Sequence, residues 1–477
     1  MLFNSLAFAA FLPIVFFLYW FAAKQHRSRQ NLLLLLASYF FYACWDWRFL
    51  FLLLFSTALD YYTGVKIHES EGKRRKYWLW LSVSINLGFL AVFKYYNFFA
   101  ASAMDFLGGF GLQVHLSTLQ IILPVGISFY TFHGLSYVID IYRRRIEPER
   151  HVVTYSLFVS YFPLLVAGPI ERATHLLPQL KADRTFRYAQ ARDGLYQIFW
   201  GLLKKVVIAD TCAMYVNDIF DTYPDRSATT LALGAVYFAF QIYGDFSGYS
   251  DIALGTSKLF GIDLLRNFNY PYFSRDIAEF WRRWHISLSS WFRDYLYVPL
   301  GGSRGGLWVK IRNTFIIFLV SGFWHGANWT FIVWGAINAV YFLPLLIANR
   351  NRDHLGTVAE GRTWPSWREL AAMLTTFALT CVAWIFFRAP SVRDAVAYFY
   401  GIFTQGSGTF LEYLPINRYN VELLPMLALF VAVEWSSRMA EHPVRGKHAT
   451  GRAVLVLLCI ALFGAFSSAK EFIYFQF

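Results

Sequence analysis

The stretch Ser321-Gly-Phe-Trp-His-Gly-Ala-Asn-Trp-Thr-Phe-Ile-Val-Trp-Gly335 places one histidine, His325, inside a long apolar and aromatic run. Apolar residues precede it from position 314 and follow it to about position 348, so the sequence predicts that His325 lies at membrane depth. An ionisable side chain there costs about 3 kcal/mol or more unless it has a partner or a function. Burial favours the neutral imidazole, which can act as a base near pH 7. His325 is therefore a candidate catalytic residue, and a hydrogen-bonding residue between helices is the alternative.

The composition of the 477-residue chain is that of a membrane protein. Charged residues make up 15% and hydrophobic residues 57%, with 49 Phe and 17 Trp, whereas ordinary soluble domains are about 25% charged. Many apolar runs approach the roughly 20 residues that cross a bilayer as a helix. We therefore predict an all-α, polytopic fold of about ten to twelve hydrophobic helices with additional re-entrant or interfacial helices, forming a single domain over residues 1–477.

The net charge of +13 is carried largely by short basic loops between apolar runs. Membrane topology explains this distribution, so we expect contact with membrane lipids and no nucleic acid. The adjacent Lys204 and Lys205 are predicted to face anionic lipid or an anionic donor. The four cysteines form no CxxC pair, which predicts neither a zinc site nor a disulfide framework, and we expect no bound metal or cofactor.

The order of charges predicts how the chain crosses the membrane. Residues 1–23 are uncharged and basic residues follow them at 24–29, the reverse of a secretory signal. Further basic loops at 66–76 and 143–150 fall on the same side, so the N-terminus is predicted outside and these loops in the cytoplasm. Residues 97–112 are predicted to be interfacial or re-entrant, and residues 116–141 to form a span that Pro124 and Gly126 interrupt.

Two carboxylates, Asp245 and Asp251, lie in the otherwise apolar segment 228–261. Inside a membrane such groups are hydrogen-bonded internally or face water. One of them is a candidate for orienting a histidine. The alternative is structural hydrogen bonding around Gly244 and Gly248.

The longest polar stretch, residues 266–312, contains tryptophans and a leucine at helical spacing, which predicts an interfacial helix with an aromatic belt. His285 follows Trp281 by four residues and so shares its broad helical face. Arg282 and Arg283 are suited to binding the phosphates of a donor. Snorkelling of these side chains to lipid headgroups is the alternative.

Two motifs resemble the signature of the membrane-bound O-acyltransferase family: Phe280-Trp-Arg-Arg-Trp-His-Ile-Ser-Leu-Ser-Ser-Trp291, and Trp324-His-Gly326 with Asn328 and Trp329. Residues 121–133, 136–140 and the ending 470–477 resemble its bacterial branch, typified by alginate O-acetyltransferase membrane subunits, so the resemblance covers nearly the whole chain. It implies that His325 is catalytic and that His285 supports it. His133 stands where the family usually has an amide residue, and we interpret it as a polar helix-packing residue.

Acyl transfer from a thioester to a sugar hydroxyl needs a base for the hydroxyl proton and a group that stabilises the oxyanion. We hypothesise that His325 is this base, or a transient acyl acceptor. His285 would position substrate or polarise the thioester carbonyl, and Asn328 would help to orient the site. Trp324 is a further candidate for binding or orienting the substrate or donor.

The resemblance also implies the partners. The donor would be acetyl-CoA or another acyl thioester in the cytoplasm, and the protein would lie in the bacterial inner membrane with a periplasmic N-terminus. The acceptor would be an exported, alginate-like polysaccharide, often reached through a periplasmic acetyltransferase partner. Alternatives within the family are D-alanyl transfer and peptidoglycan acetylation. A transporter would show interrupted helices in two related halves, which we do not find, and a non-catalytic scaffold of an export complex would make His325 dispensable.

Overall fold

The computed structural model of the protein describes residues 1–23, 26–112, 114, 118–119, 123–166, 168–408, 420–466 and 472–473. Within these residues the chain forms twenty α-helices and no β-strand, which confirms the all-α fold. The first ten helices are α1 (Leu6–Phe17), α2 (Arg27–Ala43), α3 (Arg48–Glu69), α4 (Gly72–Leu90), α5 (Tyr96–Gly108), α6 (Ile127–Tyr142), α7 (Val152–Ser160), α8 (Phe162–Leu165), α9 (Ala173–Lys181) and α10 (Tyr188–Leu203). The other ten are α11 (Asp210–Asp221), α12 (Ala228–Leu259), α13 (Ile277–Arg283), α14 (Ile286–Phe292), α15 (Leu307–His325), α16 (Trp329–Ile347), α17 (Trp367–Arg388), α18 (Val392–Thr404), α19 (Asn420–Ser436) and α20 (Ala449–Phe463).

Several of these helices are long and apolar enough to cross a membrane. Among the described residues there are five such segments: α3, the run Gly72–Gly108, α15, α16 and α17. Four shorter apolar helical segments accompany them, Leu6–Ala22, Val152–Leu165, Leu423–Ser436 and Ala449–Phe463. The buried share of the most apolar window of these five segments ranges from 17% in Gly72–Gly108 to 50% in α17, which leaves apolar surface on each for contact with lipid.

Most of the segment 97–112 forms α5, and its interfacial or re-entrant placement stays a prediction. A π-helical turn, Ala91–Tyr95, joins α4 to α5, so these residues continue the preceding helix in one 37-residue run, Gly72–Gly108. The glycines of this segment lie at or just beyond the C-terminal end of that run, where Gly111 adopts a positive φ of 76°. Glycine is favoured just beyond the end of a helix because it has no β-carbon to clash there.

The predicted interruption before residue 127 is confirmed. Gly126 has a φ of 76° and immediately precedes α6, and a β-carbon on it would lie 2.2 Å from the carbonyl oxygen of Leu165. Parts of three predicted segments lie outside the described residues: 24–25 of the first basic loop, 116–117 and 120–122 of the interrupted span, and all of the ending except Phe472 and Ile473.

The chain divides into two compact units, residues 1–194 with 256–265, and residues 195–255 with 266–477. The prediction of a single domain over 1–477 stays a prediction. In the first unit a buried carboxylate ties three helices together: Asp60 of α3 accepts hydrogen bonds from Ser82 (2.6 Å) and Asn86 (2.8 Å) of α4. Gly134 of α6 lies against it, because a β-carbon there would come within 1.9 Å of the Asp60 carboxylate.

In the second unit α15 and α16 form a closely packed pair. A β-carbon at Gly322 would lie 2.2 Å from the Phe331 carbonyl oxygen, and one at Gly335 would lie 2.3 Å from that of Phe318. The two backbones therefore touch where only glycine fits. Helix α17 begins at a capping box of Ser366 and Glu369, which fixes the start of a third apolar helix that packs against α16.

Candidate functional site

His325 is the last residue of α15, and the turn 326–328 leads directly into α16. Its side chain is buried, at 3% exposure. The imidazole centroid lies 5.1 Å from the Trp334 ring and 5.3 Å from the Phe387 ring, both of which meet it edge to face. Trp384 stacks on Trp334 with a centroid distance of 5.7 Å and extends the group of aromatic rings around His325. The structure thus places His325 in an aromatic, water-poor environment at a helix end.

His285 lies in the short connection between α13 and α14. Its φ of 43° is in the left-handed region that non-glycine residues seldom adopt. Its Nδ1 lies 3.0 Å from Oδ1 of Asn267, and the ring of Phe246 meets it edge to face at 4.6 Å. Burial lowers the pKa of His285 to about 3, because the charged imidazolium loses its hydration. The side chain is therefore neutral at pH 7.

Trp324 brings the two histidines into one cluster. The centroid of its indole lies 5.0 Å from the His325 ring and 6.0 Å from the His285 ring. All three side chains are buried. His285 and His325 are 40 positions apart in the sequence, and this separation does not predict that they lie close together. The contact between the two motifs is seen only in the structure.

Asp245 and Asp251 of α12 lie against two lysines. Lys205 Nζ lies 2.8 Å from Asp245 Oδ1 and 2.9 Å from Asp210, and Asp245 Oδ2 accepts the backbone N–H of Ile473 at 2.7 Å. Lys204 Nζ lies 2.5 Å from Asp251 Oδ2. Both lysines are buried, so the prediction that they face anionic lipid is wrong, and contact with an anionic donor stays a prediction. Burying an ammonium group requires a paired carboxylate, and α12 provides one for each lysine.

Glycines of α12 allow these pairs to form. The lysines lie in a π-helical segment, Lys204–Ala209, that follows α10. A β-carbon on Gly248 would lie 2.8 Å from the carbonyl oxygen of Gly201, and one on Gly244 would lie 2.9 Å from that of Lys204. The geometry favours the structural interpretation of Asp245 and Asp251 as anchors of α12. Neither carboxylate forms a hydrogen bond to a histidine among the described residues, so a role in orienting one stays a prediction.

Arg282 and Arg283 hold a loop. Arg282 donates to the carbonyl oxygens of Asn351 and His354, both at 2.8 Å. Arg283 pairs with Glu279 at 2.9 Å and donates to the carbonyl oxygen of Gly356 at 3.0 Å. These bonds tie α13 to residues 351–356. Binding of a donor phosphate by either arginine stays a prediction. The arginine would have to give up its hydrogen bonds to the backbone carbonyls of this loop in order to bind the phosphate.

Asn328 caps α16. Its Oδ1 accepts the backbone N–H of Thr330 at 3.0 Å, and its Nδ2 donates to the carbonyl oxygen of Pro390 at 2.9 Å. Both ends of the amide therefore bond to the backbone. The residue fixes the turn that follows His325, and any part in orienting substrate stays a prediction.

Asn267 was missed by the sequence analysis, although it bonds directly to a candidate catalytic residue. It precedes His285 by 18 positions, and the chain between them forms two separate short helices, Pro271–Phe273 and α13. No single helix or strand therefore relates the two residues by a regular period. The one feature of the sequence that could have drawn attention to Asn267 is its place at the start of the polar stretch 266–312.

Two spaces lie beside the cluster in the second unit. A polar cavity of roughly 20 Å³, room for about one water molecule, is lined by Asn267 together with Lys204, Tyr243, Asp251, Arg266 and Glu434. A larger cleft of roughly 230 Å³ lies between α14, α15 and α16. Its wall includes Ser321, one helical turn before His325, and Arg293 and Arg352 contribute positive charge to it.

Comparison with protein families matches residues 149–388 to MBOAT, the membrane-bound O-acyltransferase family. The matched range includes His285 and His325. It draws on residues of both compact units.

Individual relatives extend the similarity along the chain. A probable alginate O-acetylase AlgI of Pseudomonas aeruginosa is 39% identical over 435 residues, which cover 91% of this chain and 80% of the relative. A peptidoglycan O-acetyltransferase of Helicobacter pylori is 34% identical and covers 100% of this chain and 98% of its own length. A teichoic acid D-alanyltransferase of Bacillus subtilis is 27% identical over 58% of this chain.

Proposed function

The chain belongs to the membrane-bound O-acyltransferase family, and from this premise we propose that it passes an acetyl group from a cytoplasmic thioester across the membrane for O-acetylation of an exported, alginate-like polysaccharide. It is an O-acyltransferase and a multi-pass membrane protein. The observation that carries the finer proposal is the cluster in which Trp324 contacts both His285 and His325. The imidazole of His325 provides a proton-transfer group in a place poor in water, and His285 lies beside the same buried indole.

In the proposed reaction His325 is the general base. Its imidazole takes the proton of the acceptor hydroxyl as the oxygen attacks the carbonyl carbon of the thioester. The tetrahedral intermediate then collapses, the carbon–sulfur bond breaks, and the thiolate leaves with the proton that the imidazolium returns. The products are an acetate ester and a free thiol, so atoms and charge balance. The aromatic rings around His325 support this role because they exclude water that would hydrolyse the thioester.

The donor is proposed to be acetyl-CoA or another acyl thioester, reaching the site from the cytoplasm. The cleft beside α15 supports access to the site, since its wall includes Ser321. Its guanidinium groups, Arg352 and the Asp294-paired Arg293, suit a phosphate-bearing donor. We place the protein in the bacterial inner membrane with its N-terminus in the periplasm. A periplasmic acetyltransferase is the proposed partner that completes delivery to the polysaccharide.

Peptidoglycan is the second candidate acceptor. The Helicobacter pylori peptidoglycan O-acetyltransferase matches this chain over nearly its whole length, whereas the matched alginate O-acetylase extends beyond the alignment. D-Alanyl transfer is the third possibility, and the teichoic acid relative covers a smaller part of the chain. The same reaction at the thioester serves all three acceptors.

The deciding experiment compares cells that carry the wild-type protein with cells that carry His325→Ala at equal membrane abundance. Acetyl esters are released by mild base from the exported polysaccharide and, separately, from purified peptidoglycan. We expect His325→Ala to abolish the esters in one of the two fractions, and that fraction identifies the acceptor. His133→Gln is the matched control, because His133 is also buried and a glutamine oxygen can accept the Glu171 N–H that His133 accepts now at 3.1 Å. Wild-type ester content with His325→Ala would overturn the assignment and favour a transporter or scaffold.

A further inference from the structure

The hydrogen bonds around Asn267 determine which nitrogen of His285 carries the proton. Asn267 Oδ1 lies 3.0 Å from His285 Nδ1, 2.9 Å from the hydroxyl of Ser287 and 3.4 Å from the backbone nitrogen of Ser287. A backbone N–H can only donate, so the amide atom that faces it is the oxygen and not the NH₂ group. An oxygen that accepts from Nδ1 requires a hydrogen on Nδ1. The neutral ring of His285 is therefore the Nδ1–H tautomer, and its lone pair is on Nε2.

Backbone hydrogen bonds hold Asn267 next to His285. The N–H of Ile286 donates to the carbonyl oxygen of Asn267 at 2.9 Å, and the N–H of Asn269 donates to that of Arg283 at 3.0 Å. These two bonds hold segment 267–269 alongside residues 283–286. They also stabilise the left-handed conformation of His285, which for a non-glycine residue costs about 1 kcal/mol.

Nε2 is the ring nitrogen of His285 that Asn267 leaves unbonded. It is buried, and among the described residues it has no hydrogen-bond partner. The rings that surround the imidazole are Phe246 of α12, Phe268 and Trp324 of α15, and none of them titrates. The charged groups on the far side of Asn267 are Lys204, Asp251, Arg266, Glu434 and Glu441, which line the small polar cavity. A buried acceptor without a partner is expensive, so Nε2 is a group that a substrate donor would satisfy.

We propose that Asn267 is a positioning residue that fixes His285 as the Nδ1–H tautomer and so presents Nε2 as a hydrogen-bond acceptor to the substrate. The inference rests on the proposed acyl transfer and deepens it. An unprotonated Nε2 accepts a hydrogen bond from a hydroxyl or amide N–H of the acceptor or donor, and it has no hydrogen to give to the thioester carbonyl. Of the two roles considered for His285, the proposal therefore keeps the positioning of substrate. A hydrogen-bond donor other than His285 would have to polarise the thioester carbonyl.

The test measures acetyl transfer by the full-length protein in membranes, with a soluble acetyl thioester and an acceptor oligosaccharide, across a pH series. Asn267→Leu removes the acceptor for Nδ1–H and releases the tautomer, so we expect kcat to fall about 10-fold or more while the KM for the thioester changes little. Asn267→Asp restores the acceptor as a carboxylate. It should recover most of the activity at pH 7 and move the acidic limb of the pH–rate profile to higher pH, because the carboxylate also stabilises the imidazolium.

The matched control is Asn313→Leu. Asn313 is equally buried in the same unit, and its amide donates to the backbone of Leu300 and Gly302. We expect this variant to keep the wild-type pH profile, whatever its abundance. Wild-type kcat in Asn267→Leu, or a pH profile in Asn267→Asp that matches wild type, would overturn the inference. Inactive wild-type protein with every thioester and acceptor would instead refute the proposed function, so the two failures are distinguishable.

Discussion

Trp324 contacts both imidazoles of the site, so its size affects how the two histidines are spaced. We predict that Trp324→Ala lowers acetyl transfer about 10-fold or more, since the cavity it leaves costs about 3–5 kcal/mol and lets both rings shift. Trp324→Phe keeps an aromatic face and should retain more activity. Ester formation per unit of membrane protein measures the effect. Trp308→Ala, at a position 82% exposed, is the control, and equal activity of Trp324→Ala and wild type would contradict the prediction.

His285 also predicts a pH dependence of stability. Its folded-state pKa of about 3 lies below the ordinary value of 6.5, so between these two pH values the unfolded chain binds a proton that the folded protein does not. The free energy of unfolding therefore falls as the pH drops through this window, by up to about 1.4 kcal/mol per pH unit from this group. We expect the Tm of the wild-type protein in detergent to fall more steeply between pH 6.5 and 4 than that of His285→Gln. Parallel slopes would show that His285 is not buried as a neutral ring.

At the scale of elements, the contact between α15 and α16 positions His325 at the end of its helix. We predict that Gly335→Ala pushes the helices apart, because the new methyl group would lie 2.3 Å from the Phe318 carbonyl oxygen. Transfer should fall more than the abundance of folded protein does, since the neighbouring Trp334 contacts the His325 ring. Gly451→Ala in α20 is the control: nothing lies within 4 Å of its β-carbon position, and alanine favours a helix by about 1 kcal/mol over glycine. Equal behaviour of the two variants would argue against close packing at Gly335.

The Lys204–Asp251 pair anchors α12 to the segment after α10. Removing one partner leaves a buried charge uncompensated, so Lys204→Met should destabilise the second unit by about 3–5 kcal/mol. The double variant Lys204→Met with Asp251→Leu removes both charges and should recover part of that loss. Thermal unfolding of the four proteins in the cycle measures the coupling. Strictly additive effects would mean that the two side chains do not form the 2.5 Å pair.

The helices and the candidate site could be predicted from the sequence only in part. The apolar runs predicted the helices, and the two histidine motifs identified residues that the structure brings to one indole. The sequence does not show which group pairs with a charged side chain. The environment of Lys204 and Lys205 was therefore predicted wrongly in part, and the role of Arg282 and Arg283 was left open. Their partners lie on α12 or on a loop about 70 positions later, and only the folded chain brings them together.

Over the whole molecule, the basic loops predict one orientation in the membrane. In a protein whose four native cysteines are replaced by alanine, Lys73→Cys and Glu147→Cys should react with a membrane-impermeant thiol reagent only in inverted vesicles. Asn4→Cys should react only from the outside, because the excess of positive charge retains the loops in the cytoplasm. Labelling of the two loop positions from opposite sides would refute this topology.

The 37-residue run Gly72–Gly108 also exceeds what a bilayer can cover. At 1.5 Å per residue it is about 55 Å long, whereas the hydrocarbon core is about 30 Å thick. Even at a steep tilt of about 40° the run would rise about 42 Å, so about 12 Å of helix must emerge into the headgroup layer or the water beyond it. That surplus relieves hydrophobic mismatch, since in thinner or thicker lipid a different length of the run lies within the hydrocarbon core while its contacts with α3 and α6 stay in place. Transfer rates in vesicles of different acyl-chain length should therefore vary little.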